Sequence, residues 1–98
     1  MLRPDLTEAM VRRFPRLRSQ DADRIVDVIL AEIAGALARG ERVELRGFGA
    51  FSVRRRRARA GRNPRNGAPV DVAARTVPVF RPSRLLQKRL NAIDGDPL

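Results

Sequence analysis

The sequence contains no cysteine, no histidine, no tryptophan and no tyrosine, and only four phenylalanines in 98 residues. Without cysteine no disulfide can close a loop, and without cysteine or histidine the usual zinc ligands are missing. The same absences remove the cysteine nucleophile and the commonest general base of enzyme sites. Glu44 and Asp71 stand as isolated acids in basic surroundings, whereas a metal-dependent nuclease needs clustered carboxylates. An enzyme is therefore not expected, nor a cofactor, a metal or a small-molecule substrate. No stretch approaches the ~20 apolar residues of a membrane span, and the first residues lack the apolar segment of a secretory signal. With the missing cysteine, these features lead to the expectation of a soluble protein in a reducing, intracellular compartment.

Acidic residues are almost absent from the middle of the chain. Residues 1–41 carry seven arginines and seven acids; residues 42–89 carry thirteen arginines and Lys88 against Glu44 and Asp71; residues 90–98 carry two acids. The segments stand at net 0, +12 and −2 within an overall +10. Such asymmetry points to a polyanionic partner, and nucleic acid leads the candidates because cationic segments bind it by releasing condensed counterions. Twenty of the 21 basic residues are arginine, a bias that a GC-rich genome produces more readily than phosphate recognition does.

The neutral first segment has helical periodicity. Pro4 suits a first turn, Asp5 and Glu8 suit its positive end, and Leu6, Met10 and Phe14 recur at four-residue spacing until Pro15. Ser19 is the expected cap of a second helix, with Ala22, Ile25, Ile29, Ile33, Ala36 and Leu37 on one face and Gly40 as its stop. Val26, Val28 and Leu30 widen that face, so this helix is expected to be covered on more than one side. From Glu41 the period becomes two: Val43 and Leu45, a turn at Gly47-Phe48-Gly49, then Phe51 and Val53, which is a β-hairpin. Val70, Val72, Val77 and Val79 mark a returning strand. Ser83 is the expected cap of a short last helix bearing Leu85, Leu86, Leu90 and Ile93, and residues 94–98 are expected to be a flexible tail.

Between the outgoing and returning strands lies Arg54 to Gly67, with seven arginines and no acid. A solvated charge run is the ordinary explanation of such a stretch, but this one is embedded between alternating β-branched segments and carries Asn66-Gly67, a strong tight-turn signal, near its far end. Pro64 cannot sit inside a paired central strand. The stretch is therefore expected to form a two-stranded arm over about residues 54–75 with a proline near its tip. Ten residues out and ten back at ~3.3 Å each give roughly 33 Å, comparable to one turn of duplex DNA at ~34 Å. Pro64 is an apolar ring flanked by Arg62, Asn63 and Arg65, and an exposed wedge among phosphate-binding groups is what opening a base step requires. With the arm set aside, about 70 residues remain for a core, which is marginal for a monomer, so a partner subunit is expected.

The segments Gly47-Phe48-Gly49-Ala50-Phe51, Gly61-Arg62-Asn63-Pro64-Arg65-Asn66-Gly67 and Val77-Pro78-Val79-Phe80-Arg81-Pro82 resemble the bacterial HU and integration host factor family. The resemblance runs through about Ile93, and the stretch from Glu41 to Gly49 is most similar to the beta subunit of integration host factor. It implies one α+β domain over residues 1–93. A base of two helices would carry a three-stranded antiparallel sheet with a long β-ribbon arm and a short C-terminal helix, within an intertwined dimer. It also implies an architectural protein that binds the minor groove of double-stranded DNA and bends it, serving recombination, replication and control of transcription and translation in the bacterial nucleoid. The wedge-and-kink account was built on proteins of this family, so the kink comes with the resemblance and not from the residue pattern.

Carried over by position, the resemblance makes Pro64 the intercalating residue, with Arg62, Asn63 and Arg65 beside it in the minor groove. Arg54, Arg55, Arg56, Arg57 and Arg59 would lie on phosphates along the arm. Arg46, oriented by Glu44, would read sequence from the minor groove, and Arg3, Arg42, Arg81, Ser83 and Arg84 would clamp phosphates on the flanks. The partner would be an alpha-type integration host factor subunit or a second copy; a sequence-neutral, HU-like homodimer is the alternative, and an RNA-binding structural protein a remoter one. A binder of anionic membranes would need a basic amphipathic helix, whereas both long helical segments are close to neutral. Three positions depart from the family pattern: Asn66 stands for the usual Thr, Ser83 for the usual Gly, and Asp94 to Leu98 extend past the common end.

Overall fold

In a computed structural model of the protein, residues 1–92 are described; the expected tail and Ile93 lie outside them. Helix α1 spans Arg3–Arg13. The Asp5 carboxylate accepts the Leu2 backbone N–H at 2.6 Å, which satisfies one orphan donor and places a negative charge at the positive end of the helix. Helix α2 spans Ser19–Ala38, and its cap is Arg18 instead of the expected Ser19. Arg18 keeps an extended backbone while its carbonyl accepts from Ala22 at 2.9 Å, and its Nε donates to Asp21 at 3.2 Å. Ser19 already has helical geometry, so its hydroxyl is not needed as a cap. The far end closes as a Schellman motif, with Gly40 N–H donating to Leu37 and Glu41 N–H to Ala36, both at 2.9 Å.

Strands β1 (Val43–Leu45), β2 (Gly49–Arg56) and β5 (Arg75–Pro82) form an antiparallel sheet in the order β1-β2-β5. The hairpin turn is Arg46-Gly47-Phe48, closed by Phe48 N–H to Leu45 at 2.9 Å, one residue earlier than the expected Gly47-Phe48-Gly49. Gly49 has a different task as the first residue of β2, opposite both Leu45 and Pro82. A Cβ there would lie 2.5 Å from the Arg81 carbonyl and 2.7 Å from the Phe80 ring, so only glycine lets β5 and its aromatic ring come this close. Phe51 pairs with Phe80 across the strands, and the Phe48, Phe51 and Phe80 rings form a triangle with centroids 4.8 to 6.4 Å apart. Helix α3, Arg84–Ala92, follows β5. The Ser83 hydroxyl accepts from Leu86 N–H at 3.1 Å, as a cap should, and Ser83 N–H donates to Phe48 at 2.9 Å, tying the helix start to the hairpin turn.

The arm leaves the sheet as the outer halves of β2 and β5 and continues as β3 (Arg59–Arg62) and β4 (Pro69–Val72). The sequence suggested one ladder, and the structure shows two in a common register. Continuing the β2–β5 pairing outward sets Arg57 against Ala74 and Ala58 against Ala73, then Arg59 against Val72, which is the pairing β3 and β4 make. No residue is inserted, so the arm is a single ribbon with an interruption. The radius of gyration is 19.3 Å, against about 13 Å for a compact chain of this length, so the arm stands clear of the body.

Little of the body is buried. Among the described residues the buried hydrophobic core consists of Ala22 and Val26, while Phe14, Val28, Ile29, Leu85 and Leu90 are each more than half exposed. An apolar groove of about 530 Å³ between α1 and α2 is lined by Leu6, Met10, Phe14 and Ile29 from the periodic stripes and by Val26 and Leu30 from the widened face of α2.

Candidate nucleic-acid interface

Strand alternation divides the sheet into two faces. Phe51, Val53, Pro78 and Phe80 share the face toward α2, and Ala50, Ser52, Arg54, Val77, Val79 and Arg81 share the outer one. The outer face is concave because its central residues are small. On one rung Ala50 lies between Glu44 and Arg81, and on the next Ser52 lies opposite Val79. Arg42, Arg54 and Arg81 line a hollow of about 200 Å³ over this floor. Arg42 and Arg81 also border a neighbouring hollow of about 260 Å³ with Glu44, Arg46 and Ser83.

Five of the residues expected on the body, Arg42, Glu44, Arg46, Arg81 and Ser83, therefore meet at one place. Two others stand apart. Arg3 is ion-paired with Asp27 across the α1–α2 contact, each side chain about half exposed, and Arg84 borders a separate hollow with Gln87, Lys88 and Asn91 on α3. The arm arginines divide by face. Arg54 and Arg56 continue the outer surface, whereas Arg55 shares the opposite face with its cross-strand neighbour Thr76 and borders a hollow under the sheet with Leu37 and Arg39. Arg57 lies in the interruption, and Arg59 and Arg62 open and close β3.

The tip is built by its polar side chains. The tight turn expected at Asn66-Gly67 is a four-residue loop, Pro64 to Gly67, bracketed by Asn63 N–H to Ala68 at 2.8 Å and Gly67 N–H to Asn63 at 2.7 Å. A two-residue turn of the usual hairpin type would need both Asn66 and Gly67 at positive φ, and among the described residues only glycines, Gly67 at +70° included, adopt it. Asn63 Oδ1 accepts from Arg65 N–H and Asn66 Oδ1 from Ala68 N–H, each at 2.9 Å, while an Arg62 guanidinium nitrogen donates to the Gly67 carbonyl at 3.2 Å. These bonds consume the loop's polar groups locally, and Pro64 remains exposed at the end of the ribbon. The bracing roles of Asn63 and Asn66 were not foreseen, although asparagine's habit of bonding the backbone two residues on was the available signal.

Charge is handled differently in the two parts of the molecule. The four ion pairs among the described residues, Arg3 with Asp27, Arg12 with Glu8, Arg18 with Asp21 and Arg39 with Glu41, all fall within residues 1–41. The hydrogen bond to Glu41, reinforced by attraction to the same carboxylate, raises the Arg39 pKa above its ordinary value. Beyond residue 41 no described cation has a carboxylate partner. Arg56 even lies directly opposite Arg75 on the last rung before the interruption, an arrangement that repels. Arg75 was missed as a site residue, since its partner can be counted only once the tip loop and register are known.

A family model described as bacterial DNA-binding protein matches residues 1–91. Among solved structures, Anabaena HU in a cocrystal with DNA is 31% identical with a TM-score of 0.82, over 92% of this chain and 97% of that one. HU from Thermotoga maritima is 27% identical with a TM-score of 0.64, over 92% of this chain and 98% of that one. A mutant of transcription factor 1, solved in solution, shares the fold at 22% identity with a TM-score of 0.66, covering 97% of each chain. A saddle of small residues rimmed by arginine, an arm tipped by proline and a family match over nearly its whole length show that this chain belongs to the bacterial DNA-binding protein family and has the HU fold.

Proposed function

We propose that the protein is an architectural DNA-binding protein that grips the minor groove of duplex DNA with two arms and bends it over the saddle. The observation that carries this reading is the exposed Pro64 ring, braced by Asn63, Asn66 and Arg62 at the end of a cationic ribbon. Inserting such a ring at a base step costs a few kcal/mol of unstacking, and bending adds an elastic cost; phosphates drawn onto Arg42, Arg54, Arg56 and Arg81 offset both. Nothing in this mechanism requires a reacting group, and the protein acts through shape and charge. Two copies are required because one copy leaves the α1–α2 groove open and its large apolar side chains exposed. In a bacterium this activity belongs to the nucleoid.

The test separates holding from bending. Pro64→Ala is expected to lower the bend seen by energy transfer between dyes at the two duplex ends, while simple binding by anisotropy falls much less. Equal losses in both would remove Pro64 from the wedge role.

The finer reading is a beta-type integration host factor subunit, supported by Glu44 and Arg46 bordering one hollow at the saddle edge. A sequence-neutral homodimer is the second reading, favoured by the likeness to HU structures. Arg46→Ala distinguishes them: the ratio of affinities for a preferred site and for random duplex narrows if Arg46 reads sequence, and an unchanged ratio favours the neutral homodimer.

A further inference from the structure

We infer that Asp71 is a base-reading residue of the arm, its carboxylate accepting a hydrogen bond from the 2-amino group of a guanine in the minor groove. This deepens the reading of the protein as a minor-groove binder and rests on it. Asp71 is the one acid of residues 54–75, and it lies in β4 opposite Ala60. Cross-strand partners share a face, and the faces alternate along the ribbon. The outer face that bears Arg54 and Arg56 therefore continues through Ala58 and Ala73 to Ala60 and Asp71. Gly61 gives an independent check: a Cβ on it would lie 3.1 Å from Val72 Cγ2, so Val72 occupies the opposite face and its neighbour Asp71 the outer one.

In a ribbon of arginines this carboxylate is exposed and has no ion-pair partner among the described residues. Its surroundings explain why. The facing residue is Ala60, the same-face neighbours on its own strand are Pro69 and Ala73, and the diagonally placed Arg62 donates instead to the Gly67 carbonyl at 3.2 Å. An ionised carboxylate can only accept hydrogen bonds, and against a polyanion it repels phosphate unless it meets a donor. The floor of the minor groove offers one kind of donor, the guanine 2-amino group, in a groove ~6 Å wide. The alanines around Asp71 leave room for the ribbon to approach that floor. Four residues separate Ala60 from Pro64, about 13 Å at ~3.3 Å each. The guanine is thus expected about four base pairs from the wedged step, on the saddle side, at ~3.4 Å per pair.

The experiment uses the whole protein and a G·C-rich duplex beside its twin with inosine for guanine, which lacks the 2-amino group and keeps the major-groove edge. Anisotropy gives the guanine-to-inosine affinity ratio, and the quantity read is the change in that ratio between wild type and Asp71→Ala. Asp71→Ala is expected to tighten binding to the inosine duplex, where only repulsion is lost, and not to the guanine duplex, so the ratio falls about fivefold. Asp71→Asn keeps an acceptor without the charge and retains part of the ratio. Diaminopurine for adenine, which adds the same amino group to an A·T duplex, brings back the difference between wild type and Asp71→Ala. Equal tightening on both duplexes makes Asp71 a charge brake and overturns the base contact, as does no change on either. A difference that appears only with added magnesium assigns the carboxylate to a cation bridge to phosphate and overturns it too. Arg62→Ala, at the arm end, lowers binding to both duplexes; if it does not, the minor-groove arm reading fails on its own account.

Discussion

Residues 1–41 and residues 42–89 handle charge and apolar surface in opposite ways. The helical base balances seven arginines with seven acids and closes its ion pairs internally, yet leaves Phe14, Val28 and Ile29 more than half exposed. The sheet and arm close their hydrogen-bonded ladders and their aromatic triangle, yet leave twelve excess positive charges without carboxylate partners. Each part is incomplete in a different currency. The base lacks apolar cover, which a second protein surface of like chemistry would supply, and the ribbon lacks counter-charge, which a polyanion would supply. A substitution can therefore remove one need while leaving the other in place.

The largest effect is expected in the base. Val26 is 5% exposed and lines the apolar groove with Ile29 and Leu30. Val26→Asp puts an unpaired carboxylate into that surface at a cost of about 3–5 kcal/mol, a large fraction of the 5–15 kcal/mol that holds a domain together. Far-ultraviolet circular dichroism should show the helical signal melting far below the wild-type midpoint. The wild-type midpoint should rise with protein concentration, as mass action requires of a dimer. A wild-type midpoint independent of concentration would show that the base needs no second copy.

The next effect separates folding from binding within the ribbon. Arg56 and Arg75 face each other across the last rung of the β2–β5 ladder, a repulsion of up to about 1 kcal/mol in the free protein. A phosphate between the two guanidinium groups reverses its sign. Arg75→Thr should therefore raise the melting midpoint slightly while lowering DNA affinity several-fold and flattening the salt dependence by about one contact. Loss of both stability and affinity would mean that the pair is structural, and the contrast between base and ribbon would not hold at this rung.

How far these features could be foreseen depended on whether they are local. The three helices, the hairpin and the arm follow from periodicity and from Pro15, Gly40 and Pro64, which act on their immediate neighbours. The cap at Ser83 follows for the same reason. What escaped the sequence depends on register or on distance. Gly49 looks like a turn residue until β5 is placed beside it; Arg75 lies nineteen positions from Arg56; and the interruption at Arg57-Ala58 and Ala73-Ala74 shows only in the paired ribbon. Side-chain competition escaped as well. Asn66-Gly67 carries the signal of a two-residue turn, but Pro64 and the hydrogen-bonding side chains of Asn63 and Asn66 favour a four-residue loop. For Arg3, the resemblance indicated a phosphate contact and the fold supplied Asp27, twenty-four positions away on another helix.

That last pair yields the smallest expected effect, and it tests whether the neutral base takes any part in binding DNA. Arg3 and Asp27 are each about half exposed, so their pairing contributes at most about 1 kcal/mol to stability and is screened by salt. If Arg3 also serves a phosphate, it must leave Asp27 to do so, and the pair opposes binding by a similar small amount. Asp27→Asn should then cost a few tenths of a kcal/mol in melting experiments but raise DNA affinity about two- to threefold at low salt, with the gain shrinking as salt rises. Arg3→Ala should give a comparable small loss of stability and a small loss of affinity. If Asp27→Asn leaves DNA affinity unchanged at low salt, Arg3 belongs wholly to the base, and the division between a self-neutralised body and a ribbon awaiting its counter-charge is complete at residue 41.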